Sequence, residues 1–357
     1  DVMSVLFQAT LQAQLRSVFM VTVSVAQFIL GAGLTVLFVV HLRFGPLGFF
    51  AASVVATALG FTAIATRCIS EIGLAPPRWS EVWRLVCFSA PLLVAALMYF
   101  IVRNSDRILV SQLLTVSAVG IYSMAWTLAN LLLTMVFTPI QTSLDVWRYK
   151  LYPHPSGAKE FADIFRIAIV LIGIAAVGLV TGVADVFVLV IDPAYRQAAL
   201  YLPLLGGAVI LQAGYSIVAS AFYVTGATGQ WTRLFAVGAG VQIATSLTLI
   251  PVFGIAGAAI GILAANLVLY AGATYFGARL WRVPYPHAAV AVTFFLELAC
   301  GYLRILFPAG SLAQKLSIDL AALAFVFVVM IGFGLLKRSD LASLRRDLRD
   351  LVRPQAW

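Results

Sequence analysis

Long apolar runs separated by short polar segments dominate this chain. A helix needs about 20 apolar residues to cross a hydrocarbon core about 30 Å thick, and about ten runs come close to that length or exceed it. These runs lack the alternation with a period of two that marks barrel strands, and they are too long for such strands. The pattern therefore predicts an all-α transmembrane bundle with spans at 17–40, 47–66, 85–110, 118–140, 164–184, 199–224, 232–250, 254–278, 287–307 and 314–336.

The composition excludes an ordinary soluble protein. Hydrophobic residues make up 62% of the chain and charged residues 10%, and the mean hydropathy is +1.02, whereas a soluble domain carries about 25% charged residues. The three cysteines show no paired spacing, and the three histidines all fall in connecting segments. The sequence therefore predicts no disulfide framework, no metal site and no cofactor.

The placement of the charges predicts an orientation. The net charge is +9, but the basic residues lie between apolar runs and in the tail, which argues against a nucleic-acid partner. If the N-terminus is cytoplasmic, most of the 23 Lys and Arg residues fall on the cytoplasmic side. Because cytoplasmic loops carry the excess of Lys and Arg, we expect a multi-pass protein of the cytoplasmic (inner) membrane with both termini of this chain in the cytoplasm.

Two hairpins in the chain resemble each other. The stretch Phe-Gly-Pro-Leu-Gly at 44–48 opens one span and Phe-Gly-Ile-Ala-Gly at 253–257 opens another, with Ala56 and Ala265 in the same register. We expect the glycines to allow a tight turn and close helix packing. Four predicted spans lie between the two hairpins and so precede the second one. Only the stub 1–16 precedes the first hairpin. The repeat therefore predicts that an N-terminal block of four helices is absent from this chain.

Five short motifs carry a resemblance to a known family. They are Ser-Ala-Pro-Leu-Leu at 89–93, Arg-Asn-Ser-Asp-Arg-Ile-Leu at 103–109, Val-Gly-Ile-Tyr-Ser at 119–123, Thr-Gly-Ala-Thr-Gly at 225–229 and Ile-Pro-Val-Phe-Gly-Ile-Ala-Gly-Ala-Ala at 250–259. In this order and spacing, the chain resembles the polysaccharide flippases of the multidrug/oligosaccharidyl-lipid/polysaccharide exporter superfamily. The resemblance implies a two-lobe, MATE-like bundle, of which this chain holds helices five to fourteen.

The resemblance and the span pattern together predict a domain organisation. The predicted segments are a cytoplasmic amphipathic stub (1–16), the remainder of the N-lobe (17–69), a cytoplasmic linker (70–84), the C-lobe (85–280), an extra C-terminal helix pair (287–336) and a basic amphipathic tail (337–357). We expect the tail to lie on the anionic inner leaflet.

Three charged residues interrupt one apolar run and form the strongest candidate site. Arg103, Asp106 and Arg107 share one helical face with Tyr99, and Asp106 is expected to neutralise the two arginines in part. Ionisable groups within spans are expensive and usually functional. One hypothesis is a site for an anion such as a lipid-linked pyrophosphate, which arginine binds in bidentate fashion. The alternative is that the arginines lie at a helix end and reach the lipid headgroups.

Other polar and aromatic residues within spans are candidates for the lining of a cavity. Each amide among them is also a common interhelical hydrogen-bonding residue, and the aromatic pair could stack on a sugar ring or simply pack. The candidates are Gln27, Tyr99, Tyr122, Trp126, Asn130, Gln212, Gln242 and Asn266. Glu297 lies near the middle of a span; a proton site is one hypothesis, and a buried structural carboxylate is the favoured one.

The resemblance implies a transporter rather than an enzyme. The expected function is flipping of an oligosaccharide on a polyprenyl pyrophosphate, with membrane lipids and membrane proteins of polysaccharide assembly as further partners. The chain has no Walker A sequence, so we expect no use of ATP. Alternatives are a multidrug/cation antiporter, a lipid II-type flippase, a membrane-embedded polysaccharide polymerase or glycosyltransferase, and a scaffold without transport.

Overall fold

The computed structural model describes residues 17–72, 79–190, 193–307 and 312–335. The regular secondary structure of these ranges is helical throughout. The chain divides into two compact units, Asp1–Leu85 and Val86–Trp357. Each unit is described by itself below.

The helices follow one another with short connections. In chain order they are α1 (Ser17–Thr35) with a π-helical turn after it (Val36–His41), α2 (Gly45–Ile72), α3 (Trp79–Leu113), α4 (Val116–Leu131), a second π-helical turn (Leu132–Phe137), α5 (Thr138–Leu151), α6 (Gly157–Val190), a 3₁₀ helix (Pro193–Tyr201), α7 (Leu202–Val218), α8 (Ser220–Val224), α9 (Thr228–Phe253), α10 (Ile255–Leu280), α11 (His287–Leu306) and α12 (Leu312–Gly332).

Many of these helices have the length and composition of membrane spans. Among the described residues, seven segments qualify: Leu47–Arg67, Val116–Leu151, Gly157–Gly182, Pro193–Val224, Thr228–Phe253, Ile255–Leu280 and His287–Leu306. Val25–Val39 and Ser317–Gly332 are apolar but shorter. Each predicted span overlaps a helical segment, so the predicted all-α transmembrane fold is confirmed. The two-lobe, MATE-like arrangement and the equivalence to helices five to fourteen stay predictions.

Two of the predicted segments lie outside the described residues, namely the stub 1–16 and the tail 337–357. The predicted linker 70–84 differs from the helix bounds that the structure gives. Helix α2 continues to Ile72 and α3 begins at Trp79, so both ends of that predicted linker are helical.

The two sequence-related hairpins each have a glycine with positive φ at the turn. Gly45 is the first residue of α2 with φ of 57°, and Gly254 lies between α9 and α10 with φ of 60°. Residues with a side chain rarely adopt such positive φ angles. The shared glycine is therefore required by the turn at both places.

The second glycine of each motif lets two helices approach closely. A Cβ atom at Gly48 would come within 3.1 Å of the backbone carbonyl of Phe38, and one at Gly257 would come within 2.4 Å of the backbone carbonyl of Leu249. Both neighbours belong to the preceding helical segment and cannot move aside as a side chain could. The expected close packing is thus present in both copies of the hairpin.

Helix α7 is the central element of the second unit. Every residue from Leu205 to Tyr215 is buried, and the helix packs against α4, α6, α10 and α11. The Asn266 side chain of α10 donates a hydrogen bond of 2.8 Å to the Ala208 carbonyl of α7. A helix that is enclosed on all sides in this way holds its few polar side chains in fixed positions.

Candidate functional site

A cavity of about 490 Å³ lies within the second unit, Val86–Trp357. Its walls come from α3, from the continuous α4–α5 segment, from α7 and α8, and from α9. The lining side chains that carry polar atoms are Tyr99, Arg103, Asn130, Thr134, Thr138, Gln141, Gln212, Tyr215, Ser216, Tyr223 and Trp231. A mixture of aromatic, amide and hydroxyl groups around a single guanidinium suits a polar ligand with a negative charge.

The wall between α4 and α5 is shaped by a wider helical turn. Thr138 donates its hydroxyl hydrogen to the Leu133 carbonyl at 2.8 Å, across five residues. Pro139 follows directly, and proline has no backbone N–H and crowds the carbonyl one turn earlier. The π-helical turn Leu132–Phe137 places Leu133, Thr134 and Phe137 in the cavity wall. Such turns are rare in helices and are often found at functional sites.

Arg103 is the centre of a hydrogen-bond network in this cavity. Its guanidinium donates one hydrogen bond to the Tyr99 hydroxyl at 2.9 Å and a short one to the Asn130 side-chain carbonyl. The Gln212 amide donates to the same Tyr99 hydroxyl at 3.3 Å. The guanidinium carbon also lies 5.9 Å from the ring centres of Tyr99 and Trp126. Side chains from α3, α4 and α7 therefore fix the position and direction of this cation.

The partners of Arg103 leave its positive charge without a counter-charge. They are all neutral groups, and among the described residues no carboxylate lies within ion-pair distance of the guanidinium. The described lining of the cavity also contains no Asp or Glu. A partly buried charge that is hydrogen-bonded but not neutralised favours the binding of an anion.

Aromatic rings cover one side of the same cavity. Tyr99 and Phe235 are in edge contact at 5.8 Å, Trp231 and Phe235 at 4.7 Å, and Tyr215 contacts both Trp231 and Phe235 at about 6 Å. Tyr223 extends this wall, and the guanidinium of Arg148 lies 4.5 Å from its ring centre. Rings of this kind offer an apolar face together with a polar edge.

The other two members of the predicted charged patch have different surroundings. Asp106 is fully buried and accepts a short hydrogen bond from the Tyr122 hydroxyl, and its second oxygen accepts the Arg107 backbone N–H at 2.8 Å. Asp106 lies close enough to Arg107 for electrostatic attraction, whereas the hydrogen bonds of Arg103 all go to neutral groups. Arg107 does not line the cavity. Only Arg103 of the three is placed to contact a ligand there.

The remaining cavity candidates are spread over several places. Tyr122 and Trp126 are core residues, 0% and 2% exposed, and only Asn130 and Gln212 of the five candidate amides line the cavity. Gln27 belongs to the first unit, where it lies beside Gly60. Gln242 is buried without a hydrogen-bond partner among the described residues. Asn266 bonds to the α7 backbone and does not line the cavity.

Glu297 of α11 is fully buried away from this cavity. Neither of its oxygens has a hydrogen-bond partner among the described residues. Its carboxyl group lies against the backbone of Gly206 and Gly207 on α7, where a Cβ atom on Gly206 would come within 2.3 Å of Oε1. Arg304, two turns along α11, lies 3.5 Å from Asp319 of α12 instead.

Sequence reasoning missed most of the aromatic wall and much of the α5 and α7 lining. The signal was nevertheless present, because Gln212, Ser216, Ala219 and Tyr223 follow one another at intervals of three or four residues and line one wall. Thr134, Thr138 and Gln141 repeat the same spacing on the α4–α5 segment. Two stripes of polar and small side chains in apolar spans predict a shared polar space.

Residues 1–144 match the family model described as "Polysaccharide biosynthesis protein". This range contains Tyr99, Arg103 and Asn130, but it ends before the α7 and α9 walls of the cavity. No match was found among the curated proteins or among the solved structures.

Proposed function

Since residues 1–144 match the family of polysaccharide biosynthesis proteins, we propose that this chain moves an oligosaccharide on a polyprenyl pyrophosphate carrier across the cytoplasmic membrane. The chain acts in the synthesis or export of a polysaccharide. In the proposed function, Arg103 binds the pyrophosphate and the aromatic and amide groups contact the sugar. No covalent step is involved.

The observation that carries this proposal is the uncompensated charge of Arg103. Its guanidinium already donates to Tyr99 and Asn130, which leaves other N–H groups for a ligand because guanidinium has five. A pyrophosphate offers several charged oxygens in the geometry that arginine binds best. The described lining contains no carboxylate that could pair with the guanidinium. The electrostatic attraction between Arg103 and an anionic ligand is therefore not weakened by a neighbouring negative charge.

The remainder of the cavity suits the sugar part of such a ligand. Hydroxyl and amide groups of Thr134, Thr138, Gln141 and Ser216 line the walls. They can exchange hydrogen bonds with sugar hydroxyls, and the rings of the aromatic wall can cover the apolar faces of a sugar. A ligand with a charged end and a polar, partly flat body matches this distribution.

The same lining argues against two of the alternatives. A cation antiporter needs acidic groups in its cavity, and a polymerase or glycosyltransferase needs a carboxylate or another general base at the reacting hydroxyl. The described residues of this cavity supply neither an Asp, a Glu nor a His. A lipid II-type flippase would use the same cation and differs only in the sugar.

The proposal includes the topology predicted from the sequence. Both termini of the chain would be cytoplasmic, and a two-lobe, MATE-like bundle would expose the cavity to the two sides of the membrane in turn. Membrane proteins of polysaccharide assembly would supply the lipid-linked substrate and receive it on the outer side.

A matched pair of substitutions tests the role of the cavity cation. Arg103→Gln and Arg107→Gln each remove one positive charge from α3, one turn apart, but only Arg103 lines the cavity. Strains that carry the full chain with either substitution are compared for surface polysaccharide and for lipid-linked oligosaccharide on each membrane face. We expect Arg103→Gln to lower export about tenfold or more, because a hydrogen bond to a charged group contributes about 1.5–3 kcal/mol. Arg107→Gln should remain within about twofold of the unaltered protein.

The location of the accumulated intermediate separates the proposed transporter from an enzyme. With Arg103→Gln, complete lipid-linked oligosaccharide should collect on the cytoplasmic face. Undiminished export would remove the cavity from the transport route. If the lipid-linked oligosaccharide were instead incomplete, or complete but unpolymerised on the outer face, the chain would act as a glycosyltransferase or a polymerase.

A further inference from the structure

A second concave surface lies between α9 and α10, here called the α9–α10 groove. Its volume is about 430 Å³, and its lining includes Arg233, Leu234, Val237, Phe276 and Arg279. None of these residues lines the larger cavity. The groove is therefore a separate surface of the second unit.

The floor of the groove is apolar and open to the outside of the helix pair. Val237 is 54% exposed and Phe276 is 41% exposed, although both belong to helices that are long and apolar enough to cross a membrane. The helices approach closely at Gly272, where a Cβ atom would come within 2.3 Å of the Leu234 side chain. Exposed apolar side chains on spans of this kind are covered by lipid chains.

The two arginines lie at the same end of this groove. Helix α9 begins at Thr228 and α10 ends at Leu280, so Arg233 and Arg279 both lie within two turns of the end that the hairpin helices share. Arg279 is held there, because it donates a hydrogen bond to the Tyr275 hydroxyl and its guanidinium lies 4.3 Å from the Tyr275 ring centre.

The described surroundings of the two arginines contain no counter-charge. The sequence from 193 to 296 has no Asp or Glu at all, so α7, α8, α9 and α10 supply no carboxylate. Neither Arg233 nor Arg279 forms an ion pair with a described residue. Two cations at the rim of an apolar, lipid-facing groove are complementary to a molecule with an anionic head and an apolar chain.

We propose that the α9–α10 groove binds an anionic phospholipid. The phosphate lies between Arg233 and Arg279, and one acyl chain runs along Leu234, Val237 and Phe276. This site is separate from the proposed transport cavity and does not depend on the proposed function. At the predicted orientation it faces the cytoplasmic leaflet, where anionic lipids give a negative surface potential.

Lipid binding to the purified full chain tests this site. The chain is kept in a neutral detergent and titrated with dioleoylphosphatidylglycerol or with dioleoylphosphatidylcholine, and bound lipid is counted by native mass spectrometry. We compare the unaltered protein, Arg233→Gln, Arg279→Gln, the double substitution, and Arg282→Gln as control. Arg282 is an exposed arginine three residues beyond Arg279 that does not line the groove.

We expect the unaltered protein to bind phosphatidylglycerol in preference to phosphatidylcholine. Each single substitution should weaken phosphatidylglycerol binding about fivefold and the double substitution about thirtyfold, since one basic residue near an anionic surface contributes about that factor. Arg282→Gln should stay within about twofold. A substitution of the floor, Phe276→Ser, should weaken binding of both lipids.

Three results would overturn the proposal. The first is unchanged phosphatidylglycerol binding by the double substitution. The second is an equal loss with Arg282→Gln, which would indicate general attraction to a basic surface. The third is displacement of the lipid by glycerol phosphate at comparable concentrations, because a site for a free phosphate would need no acyl chain. The single substitutions serve if the double substitution lowers the yield of folded protein.

Discussion

Arg103 and Glu297 each place an ionisable group within an apolar helix, but their surroundings are opposite. Arg103 contacts Tyr99, Asn130 and Trp126, and it lines a cavity of about 490 Å³. Glu297 is 0% exposed, and both of its oxygens lack a hydrogen-bond partner among the described residues. In the sequence the two residues look alike, since each interrupts a run of apolar residues.

The difference shows how a charge within a span can be assigned to binding or to packing. A charged group that is positioned by neutral donors and acceptors and open to a cavity retains its attraction for a ligand. The carboxyl group of Glu297 packs against the backbone of Gly206 and Gly207 and has no such partner. Burial of the uncharged carboxyl group there costs less free energy than burial of the charged one. Asp106 is intermediate, because it is equally buried but receives two hydrogen bonds.

The largest expected effect is that of Glu297→Lys. The lysine side chain is longer and positively charged, and it would enter a packed site. Charged residues at the centre of a span cost about 2.5–3.5 kcal/mol even in permissive cases. We expect a loss of folded protein, measured as the yield of monodisperse protein in detergent and as the midpoint of thermal unfolding.

Leu303→Lys is the matched control, because Leu303 is on the same helix and 53% exposed. Near a helix end its ammonium can reach the headgroups, so that protein should still be obtained. Equal yields for Glu297→Lys and the unaltered protein would mean that Glu297 faces water, which would remove the contrast with Arg103.

Tyr122→Phe tests the contribution of the hydrogen bond that Asp106, the intermediate case, receives. This substitution removes the hydroxyl that donates to Asp106 while the ring remains in the core. A buried acceptor that loses its donor costs about 1–3 kcal/mol, so thermal unfolding in detergent should shift downward by several degrees. Tyr149→Phe, at a ring that is 54% exposed, should leave the midpoint unchanged. No shift with Tyr122→Phe would show that Asp106 finds another donor.

Much of the fold could be predicted from the sequence, for a physical reason. Every backbone polar group in a membrane must be satisfied within its own helix, so a run of about 20 apolar residues has few alternatives to a spanning helix. The turns at Gly45 and Gly254 were likewise predictable, because a repeated glycine between two apolar runs indicates a conformation that needs it. The π-helical turn at Leu132–Phe137 was not predicted, since Pro139 alone does not specify how the preceding turn adapts.

The candidate site was predictable only in part. Arg103 and Asn130 were found because polar groups stand out in apolar spans. The hydrogen bond from Tyr122 to Asp106 was missed, because it joins two different helices. The packing of α4, which supplies Tyr122, decides that Asp106 receives a neutral donor. No pattern within α3 contains that information.

The smallest expected effect, that of Glu297→Gln, decides between the two hypotheses for this residue. The amide has almost the same shape as an uncharged carboxyl group and still lacks a described partner, so thermal stability should change by less than about 1 kcal/mol. If Glu297 only packs, polysaccharide export should also remain within about twofold. If Glu297 is instead a proton site, export should fall strongly at unaltered stability, because an amide neither takes up nor releases a proton near neutral pH. That second result would give Glu297 a role beside that of Arg103, and the contrast between them would become one between two functional groups, one for the ligand and one for the proton.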